Sequence, residues 1–527
     1  MNNFEKNYWS FYLDFLDDFK GLTYDGYSIP YFCVCFSIIH SAPAVWKNLY
    51  NEKLIRQSKN QVNDKKQVQA KLYKYIHGHR KKPLDKNKHG KVVLHTDSHL
   101  RFPKEALNNY FNPSKTMLLS NAKINTQQNK NHPVKKKKKK ASVRLKNTIS
   151  VKGKSFKEKQ QMKAKKTKRP QNIPIDYLYN YSTNTEKAVK KVQNKAKIMF
   201  RSYPKHPLYS NKHFQRNFLT QIHQIVDHIE RVKNFLKKVP VSCIVISHGH
   251  SINRVLAIVA AENGIPTICM QHGVINSQLG YFPQVATIDA VYGKFERDWF
   301  IKNGAHKNAV KIIGHPKFDQ IFKGPIKSRS VFNKKLGLDT NKKTLMLAVR
   351  ENYDLEKWRR LIKYIANRCD VNILIKDYPG RRNSPLLKEF PFVHSTKDLH
   401  LYDVLPNVDA VASYPSTVGL EAMLADKPAF ILCEQISGKK DIKKWLEDFY
   451  SNRSLIGDPG YSGYYNGLNE LVQSDPIKLG KLIINYLSDN NWIGYAKKTR
   501  DNFLSNAYPD FEMSGKRLNR LINRLTS

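Results

Sequence analysis

Two short stretches of the chain concentrate imidazole: Ser247-His248-Gly249-His250 and Gln271-His272-Gly273. An imidazole close to its ordinary pKa can take up or release a proton near neutral pH. Each histidine is therefore a candidate general base toward a hydroxyl group. His272 is the stronger candidate, because Gly273 beside it leaves the ring uncrowded, and His248 is the second. The plainer alternative for each is a strand-end histidine bonded to backbone. No carboxylate lies near these histidines in the sequence, and the nearest thiols, Cys243 and Cys269, fall inside the predicted strands, so no metal is expected there.

A further set suits a diphosphate. Lys376 offers a point charge, and Arg350 offers a planar fork that can hold phosphate through two bonds. Ser416 or Thr417 can cap a helix, and the free N–H groups and dipole at such a helix start favour an anion. Gly419 would let a diphosphate approach that first turn. Glu421, one turn beyond Thr417, can accept from ribose hydroxyls. Gly273 and Gly314, both at strand-end loops, are counted with this nucleotide-binding set. Two plainer readings compete: a capped core helix with one solvated acid, and basic residues that recur by chance in a chain of net charge +48.

These residues need strands and helices to bring them together. The stretch Val241 to Ile275 reads as a β-α-β unit. Cys243 to Ile246 is a buried-strand run. Ser251 caps a helix with Ile252, Val255, Leu256 and Val259 on one stripe. Gly264 stops that helix, and Ile265 to Met270 is the next strand. Gly90 to His95, Ala286 to Tyr292 and Val310 to Ile313 are further strands. Lys323 to Leu338 reads as an interdomain linker. A second α/β region then repeats the pattern, with strands at Thr344 to Val349, Val371 to Ile375, Asp409 to Ala412 and Ala429 to Leu432. Strands alternating with helices imply parallel sheets. The expected fold class is α/β, with two Rossmann-like doubly wound domains, 1–330 and 331–527, facing a cleft. Open sheets of this kind bind ligands at the carboxyl ends of their strands.

The remaining composition sets limits. The chain has 527 residues and is 40% apolar, enough for two or three cored domains. Within about 125–172 the sequence becomes lysine-rich, including the unbroken run Lys135 to Lys140. Such a block repels itself and cannot bury a core. It is expected to be a disordered or solvated insertion, and Lys135–Arg169 is a candidate contact for an anionic membrane surface. Phe156 is the lone aromatic there, which argues against stacking on single-stranded nucleic acid. The N-terminal region is aromatic and helical, with Phe11, Phe15 and Phe19 four apart, and is expected to pack on a larger domain. The scattered cysteines suit a reducing compartment. No leader is visible, and the apolar stretch near Tyr31 to Ile39 is too short to span a bilayer. The expected location is cytoplasmic, with the inner face of the membrane as a peripheral site.

With those residues named, the chain resembles the GT-B transferases of bacterial surface carbohydrates: capsule and spore-coat polysaccharide proteins and the CDP-glycerol glycerophosphotransferase group. The resemblance covers about Val241 to Pro428. It rests on GIPTICMQHG (Gly264 to Gly273), IIGHPKFD (Ile312 to Asp319), LIKDYPG (Leu374 to Gly380) and SYPSTVGLEAMLADKP (Ser413 to Pro428). It implies that His272 is the base and that Lys376, Ser416, Thr417 and Glu421 hold the donor nucleotide. Tyr378 stands where the group usually has histidine. The expected activity is transfer of a sugar from a nucleotide-diphosphate donor to a glycan or lipid-linked acceptor, with no cofactor beyond that donor. Glycerophosphate transfer, epimerisation of a UDP-sugar, and polyanion binding on a degenerate transferase scaffold are the alternatives.

Overall fold

The computed structural model describes residues 1–33, 35–40, 42–80, 89–97, 99–121, 172–275, 278–323, 328–349, 355–377, 383–433, 463–509 and 513–527. Arg350, Tyr378 and the lysine-rich block Lys135–Arg169 lie outside the described residues.

Seven strands make the first sheet: β1 (Lys91–Thr96), β2 (Thr116–Ser120), β3 (Ile175–Tyr177), β4 (Val241–Ile246), β5 (Thr267–Met270), β6 (Ile288–Val291) and β7 (Val310–Ile312). Their spatial order is β3-β2-β1-β4-β5-β6-β7, and each neighbouring pair is parallel. Six strands make the second: β8 (Lys343–Ala348), β9 (Val371–Lys376), β10 (Val393–Ser395), β11 (Ala410–Ser413), β12 (Ala429–Leu432) and β13 (Val472–Gln473). Their order is β10-β9-β8-β11-β12-β13, again parallel throughout. Both sheets start at an inner strand, wind to one edge, return and wind to the other. These are two doubly wound α/β domains, as the strand–helix alternation predicts, and they match the GT-B architecture that the resemblance implies.

Strands with helices on both faces should be apolar along their whole length. All six residues of β4 are buried, as are all four of β6, β11 and β12. The N-terminal aromatic segment serves the same core. Helix α1 (Asn3–Asp18) starts in a capping box between Asn2 and Glu5, which satisfies amides on both sides of the helix start. Its Phe15 meets Phe218 of α2 (Lys212–Lys238) edge-on at 4.9 Å. Tyr12 of α1 accepts from the buried guanidinium of Arg254 at 2.8 Å, and the carbonyl of Tyr31 accepts from the same group at 2.6 Å. The segment expected to dock on a larger domain is thus part of its core.

Arg254 belongs to α3 (Ser251–Glu262), where one expectation needs correction. Ser251 does not cap this helix. It is the first helical residue, with φ +49°, and His250 stands at the cap without a side-chain bond. The stop is as expected: Gly264 turns at φ +74° just beyond the helix. Within the stretch read as a linker, Arg329–Leu336 is helical and ends at Gly337 in the left-handed region.

The chain end returns to the first domain. In α5 (Ser514–Thr526), Leu518, Leu521 and Ile522 are buried with Leu94 of β1, Val245 of β4 and Ile268 of β5. Asp319 anchors the start of this helix, accepting from the amides of Ser514 (2.8 Å) and Gly515 (2.9 Å). No helix among the described residues is long and apolar enough to cross a membrane.

Candidate functional site

The strand order reverses between β1 and β4 in the first sheet and between β8 and β11 in the second. Crevices at such reversals, outside the carboxyl ends of the strands, are where open α/β sheets bind ligands. The loop after β1 carries Asp97 and His99. The loop after β4 carries Ser247 and His248, and the loop after β5 carries His272.

Asp97 is the centre of this wall. Its Oδ1 accepts from the amides of His99 (2.7 Å) and Leu100 (2.9 Å). Its Oδ2 accepts from Ser247 Oγ (2.6 Å) and Asn253 Nδ2 (2.8 Å) and lies 3.5 Å from His248 Nε2. Burial alone would raise the carboxyl pKa. The hydrogen bonds from Ser247, Asn253 and the His99 amide overcome that, with help from His248, and hold it down at about 2. Asp97 is therefore an anion at any physiological pH.

Around it stand three rings. His99 meets His248 edge-on at 5.1 Å and His272 at 5.3 Å, and His248 lies 6.1 Å from His272. His272 also stacks on Tyr281 at 4.7 Å, with the planes 12° apart. The ring is not uncrowded, as the neighbouring glycine suggested. The space at Gly273 is used instead by the other domain: a Cβ there would sit 3.2 Å from Thr417 Oγ1 and 3.3 Å from the Tyr281 hydroxyl. Burial pushes the His272 pKa down to about 3, and the neighbouring His248, His99 and His250 push the same way. By accessible surface the ring is only half-buried. The protein packed around it matters more than that surface, because desolvation follows the enclosing volume. His248 is depressed to about 4, chiefly by burial, with Asp97 opposing. Both imidazoles are neutral at neutral pH and able to accept a proton.

The opposite wall is α4 (Thr417–Leu424), which follows β11. Ser416 caps it, accepting from the amide of Val418 at 3.3 Å. The carbonyl of Ser416 accepts from the Tyr465 hydroxyl, which in turn accepts from the amide of Leu420 at 3.1 Å. Tyr465 also fills the space beside Gly419, where a Cβ would lie 2.9 Å from its hydroxyl and 3.0 Å from Ile431 Cδ1. Gly419 thus serves packing against Tyr465 rather than the approach of a diphosphate. Thr417 reaches across the cleft, its Oγ1 accepting from the amide of Val274 at 3.2 Å. Glu421 is buried, and its Oε1 accepts from Tyr402 (2.9 Å) and lies 3.4 Å from Lys317 Nζ. Burial lowers the Lys317 pKa and the carboxylate of Glu421 opposes it.

The structure therefore brings His248, His272, Gly273, Thr417 and Glu421 into one region and holds Ser416 at its edge. Two residues of the expected set are engaged by other partners. Lys376 ends β9, which is separated from β11 by β8. Its Nζ donates to the carbonyls of Thr396 (3.0 Å) and Leu399. Gly314, at φ +72°, is packed so closely against Tyr508 and Ser514 that a Cβ would overlap both hydroxyls. Its part is to let the returning C-terminal segment close on β7. Arg350, two residues past the end of β8 in the sequence, lies outside the described residues.

Asp97 and Lys317 carry geometry that the sequence reading missed. Asp97 lies 150 positions from Ser247 and 156 from Asn253, and only the strand order joins them. The available signal was a carboxylate at the end of the first apolar strand, where a reversal falls in this fold.

No family model matches the chain, and no curated protein matches it. Solved structures similar to it include a UDP-N-acetylglucosamine 2-epimerase, at 15% identity and TM-score 0.38, covering 57% of this chain and 76% of that one. The wall teichoic acid polymerase TagF is 10% identical, with TM-score 0.41 and coverage of 87% and 96%. Alr3699/HepE of Anabaena, solved with UDP-glucose, is 13% identical, with TM-score 0.42 and coverage of 83% and 99%. Likeness at this level carries no argument about substrate or residue roles, and the fold stands on the strand orders given above.

Proposed function

We propose that the protein is a GT-B glycosyltransferase, moving a sugar from a nucleotide-diphosphate donor to a surface-polysaccharide or lipid-linked acceptor. The observation that carries this reading is the contact between the His272-Gly273-Val274 loop and the first residue of α4. It sets a neutral imidazole opposite a helix start, the pairing of proton acceptor and anion site that transfer from a diphosphate needs.

In this reading His272 accepts the proton of the acceptor hydroxyl as the sugar–phosphate bond breaks. A pKa of about 3 makes the free imidazole a weak base. The negative charge of a bound diphosphate raises it toward the working range, because a nearby anion favours the imidazolium. Proton acceptance is thereby coupled to donor binding. The amide of Thr417 and the α4 dipole meet the phosphate charge developing on the leaving group, and electrostatic stabilisation of this kind usually contributes most to lowering the barrier. Arg350 and Lys376 are the cations expected to meet the diphosphate, Lys376 after its amine leaves the Thr396 and Leu399 carbonyls. Glu421 holds the ribose while sharing its carboxylate with Lys317 and Tyr402. The lysine-rich block Lys135–Arg169 would bring the enzyme to an anionic membrane carrying the acceptor.

The test is transfer from UDP-, CDP- and GDP-linked sugars, with donors first ranked by thermal shift. His272→Ala should lower the transfer rate by about 10²–10⁴-fold, the range for loss of a general base. Lys376→Ala should mainly weaken donor binding. Wild-type rates in both variants would remove the mechanism. Turnover of a UDP-sugar without any acceptor would favour epimerisation, and transfer only from CDP-glycerol would favour glycerophosphate chemistry.

A further inference from the structure

At the reversal between β1 and β4, a carboxylate and two imidazoles converge from two loops. One carboxylate oxygen of Asp97 and one ring nitrogen each of His99 and His248 lie within 4.8 Å of one another. Asp97 Oδ2 and His248 Nε2 lie 3.5 Å apart.

We propose that Asp97, His99 and His248 form a three-ligand site for a divalent transition-metal ion of the zinc class, with His272 beside its open position.

The donor set fits such an ion. Zinc and its neighbours take imidazole nitrogen and carboxylate oxygen, whereas magnesium and calcium prefer an all-oxygen shell. Around a tetrahedral centre with bonds of about 2.0–2.1 Å, ligand atoms stand roughly 3.3 Å apart. The Asp97–His248 pair is already near that spacing, and the remaining approach is within reach of loop side chains.

The support behind the ligands is what a metal site requires. A ligating carboxylate is normally fixed by donors in the surrounding shell. Asp97 has four, from Ser247, Asn253 and the amides of His99 and Leu100. These donors come from three segments: the Asp97 loop itself, the β4 end and α3. A solvated surface acid has no such framing. Three protein ligands leave one position for water or a substrate oxygen, the pattern of catalytic rather than structural zinc sites. The His272 ring lies 5.3 Å from that of His99, beside the cluster.

The site is independent of the transferase reading, because its readout is metal binding alone. The full-length protein, stripped with a chelator, is titrated with Zn²⁺ by calorimetry and with Co²⁺ by visible absorption. One equivalent should bind, and Co²⁺ should give the intense bands of a four-coordinate centre. Asp97→Asn, His99→Gln and His248→Gln should each weaken binding at least 10-fold. His213→Gln, at an exposed helical position, should bind as wild type. Circular dichroism identifies any variant that fails to fold, and the two glutamine variants at His99 and His248 then decide. Absence of a stoichiometric equivalent in the wild type would overturn the proposal. So would wild-type affinity in folded His99→Gln and His248→Gln, or loss of the same equivalent in His213→Gln.

Discussion

At the reversal of strand order, the first sheet presents Asp97 and His248, and the second presents the loop from Ser413 to Thr417. The topology is shared and the chemistry is not. On the first wall the titratable groups bind one another within a single domain: Asp97 takes bonds from Ser247, Asn253 and its own loop. On the second wall the side chains are held by helix ends, by strand-end carbonyls or by the facing domain. Ser416 caps α4, Lys376 is tied to Thr396 and Leu399, and Glu421 meets Lys317. The first wall is thus organised before the domains meet. The second is completed by contact with what precedes it in the chain, so it is the wall that domain movement would alter.

The strongest test of that contrast is Lys317→Met. Lys317 and Glu421 are both buried, and removing one partner of a buried ion pair leaves an uncompensated charge, at a cost of about 3–5 kcal/mol. The double variant Lys317→Met/Glu421→Gln should recover much of this loss, because neither charge is then stranded. Urea unfolding of the single and double variants measures both. A loss below about 1 kcal/mol in Lys317→Met would mean that water reaches the pair and that the second wall does not depend on the first.

A second test concerns pH. His272 is held at about 3 in the folded protein, against about 6.5 when unfolded. Below 6.5 the unfolded chain binds a proton that the folded chain refuses, so stability falls as pH drops from about 6.5 toward 3. The slope from this one group is at most about 1.4 kcal/mol per pH unit. Glu296 and Asp289, both buried and raised to about 7, act in the opposite sense between about 4.5 and 7. Their effect cancels when wild type and variant are compared. His272→Gln should therefore flatten the stability profile relative to wild type between pH 6.5 and 3. Parallel profiles would mean that the ring is solvated and the first wall is not preorganised.

The same contrast explains what could be read from the chain alone. The β4–α3–β5 unit and the strands β8, β9, β11 and β12 were legible because long apolar runs are dictated by burial on both faces. Strands β2, β3, β10 and β13 were not. Strands β3 and β10 are three residues long, β13 is two, and Ile175 of β3 is exposed, so composition gives them little signature. Residue type singled out His272 and Thr417, which the fold brings to facing loops. It could not disclose Asp97, whose partners are set by strand order, nor that Gly314 and Gly419 are packing glycines filled by Tyr508 and Tyr465. A glycine spares volume, and only the fold says for whom.

The smallest predicted effect separates cap from ligand site. Ser416→Ala removes the acceptor for the Val418 amide while Tyr465 still serves Leu420. Loss of such a cap costs about 1 kcal/mol, and the 3.3 Å length of this bond places Ser416 at the weak end of that effect. If the hydroxyl only caps, donor affinity should change by no more than the helix start is loosened, under about 10-fold. If it also bonds the donor phosphate, affinity should fall by more than that while the unfolding midpoint moves no further. Calorimetric titration and urea unfolding of the same variant give the two numbers. A large affinity loss with a small stability loss would make the second wall a direct anion site, and matched small losses would leave the anion to the Thr417 amide and the basic residues around it.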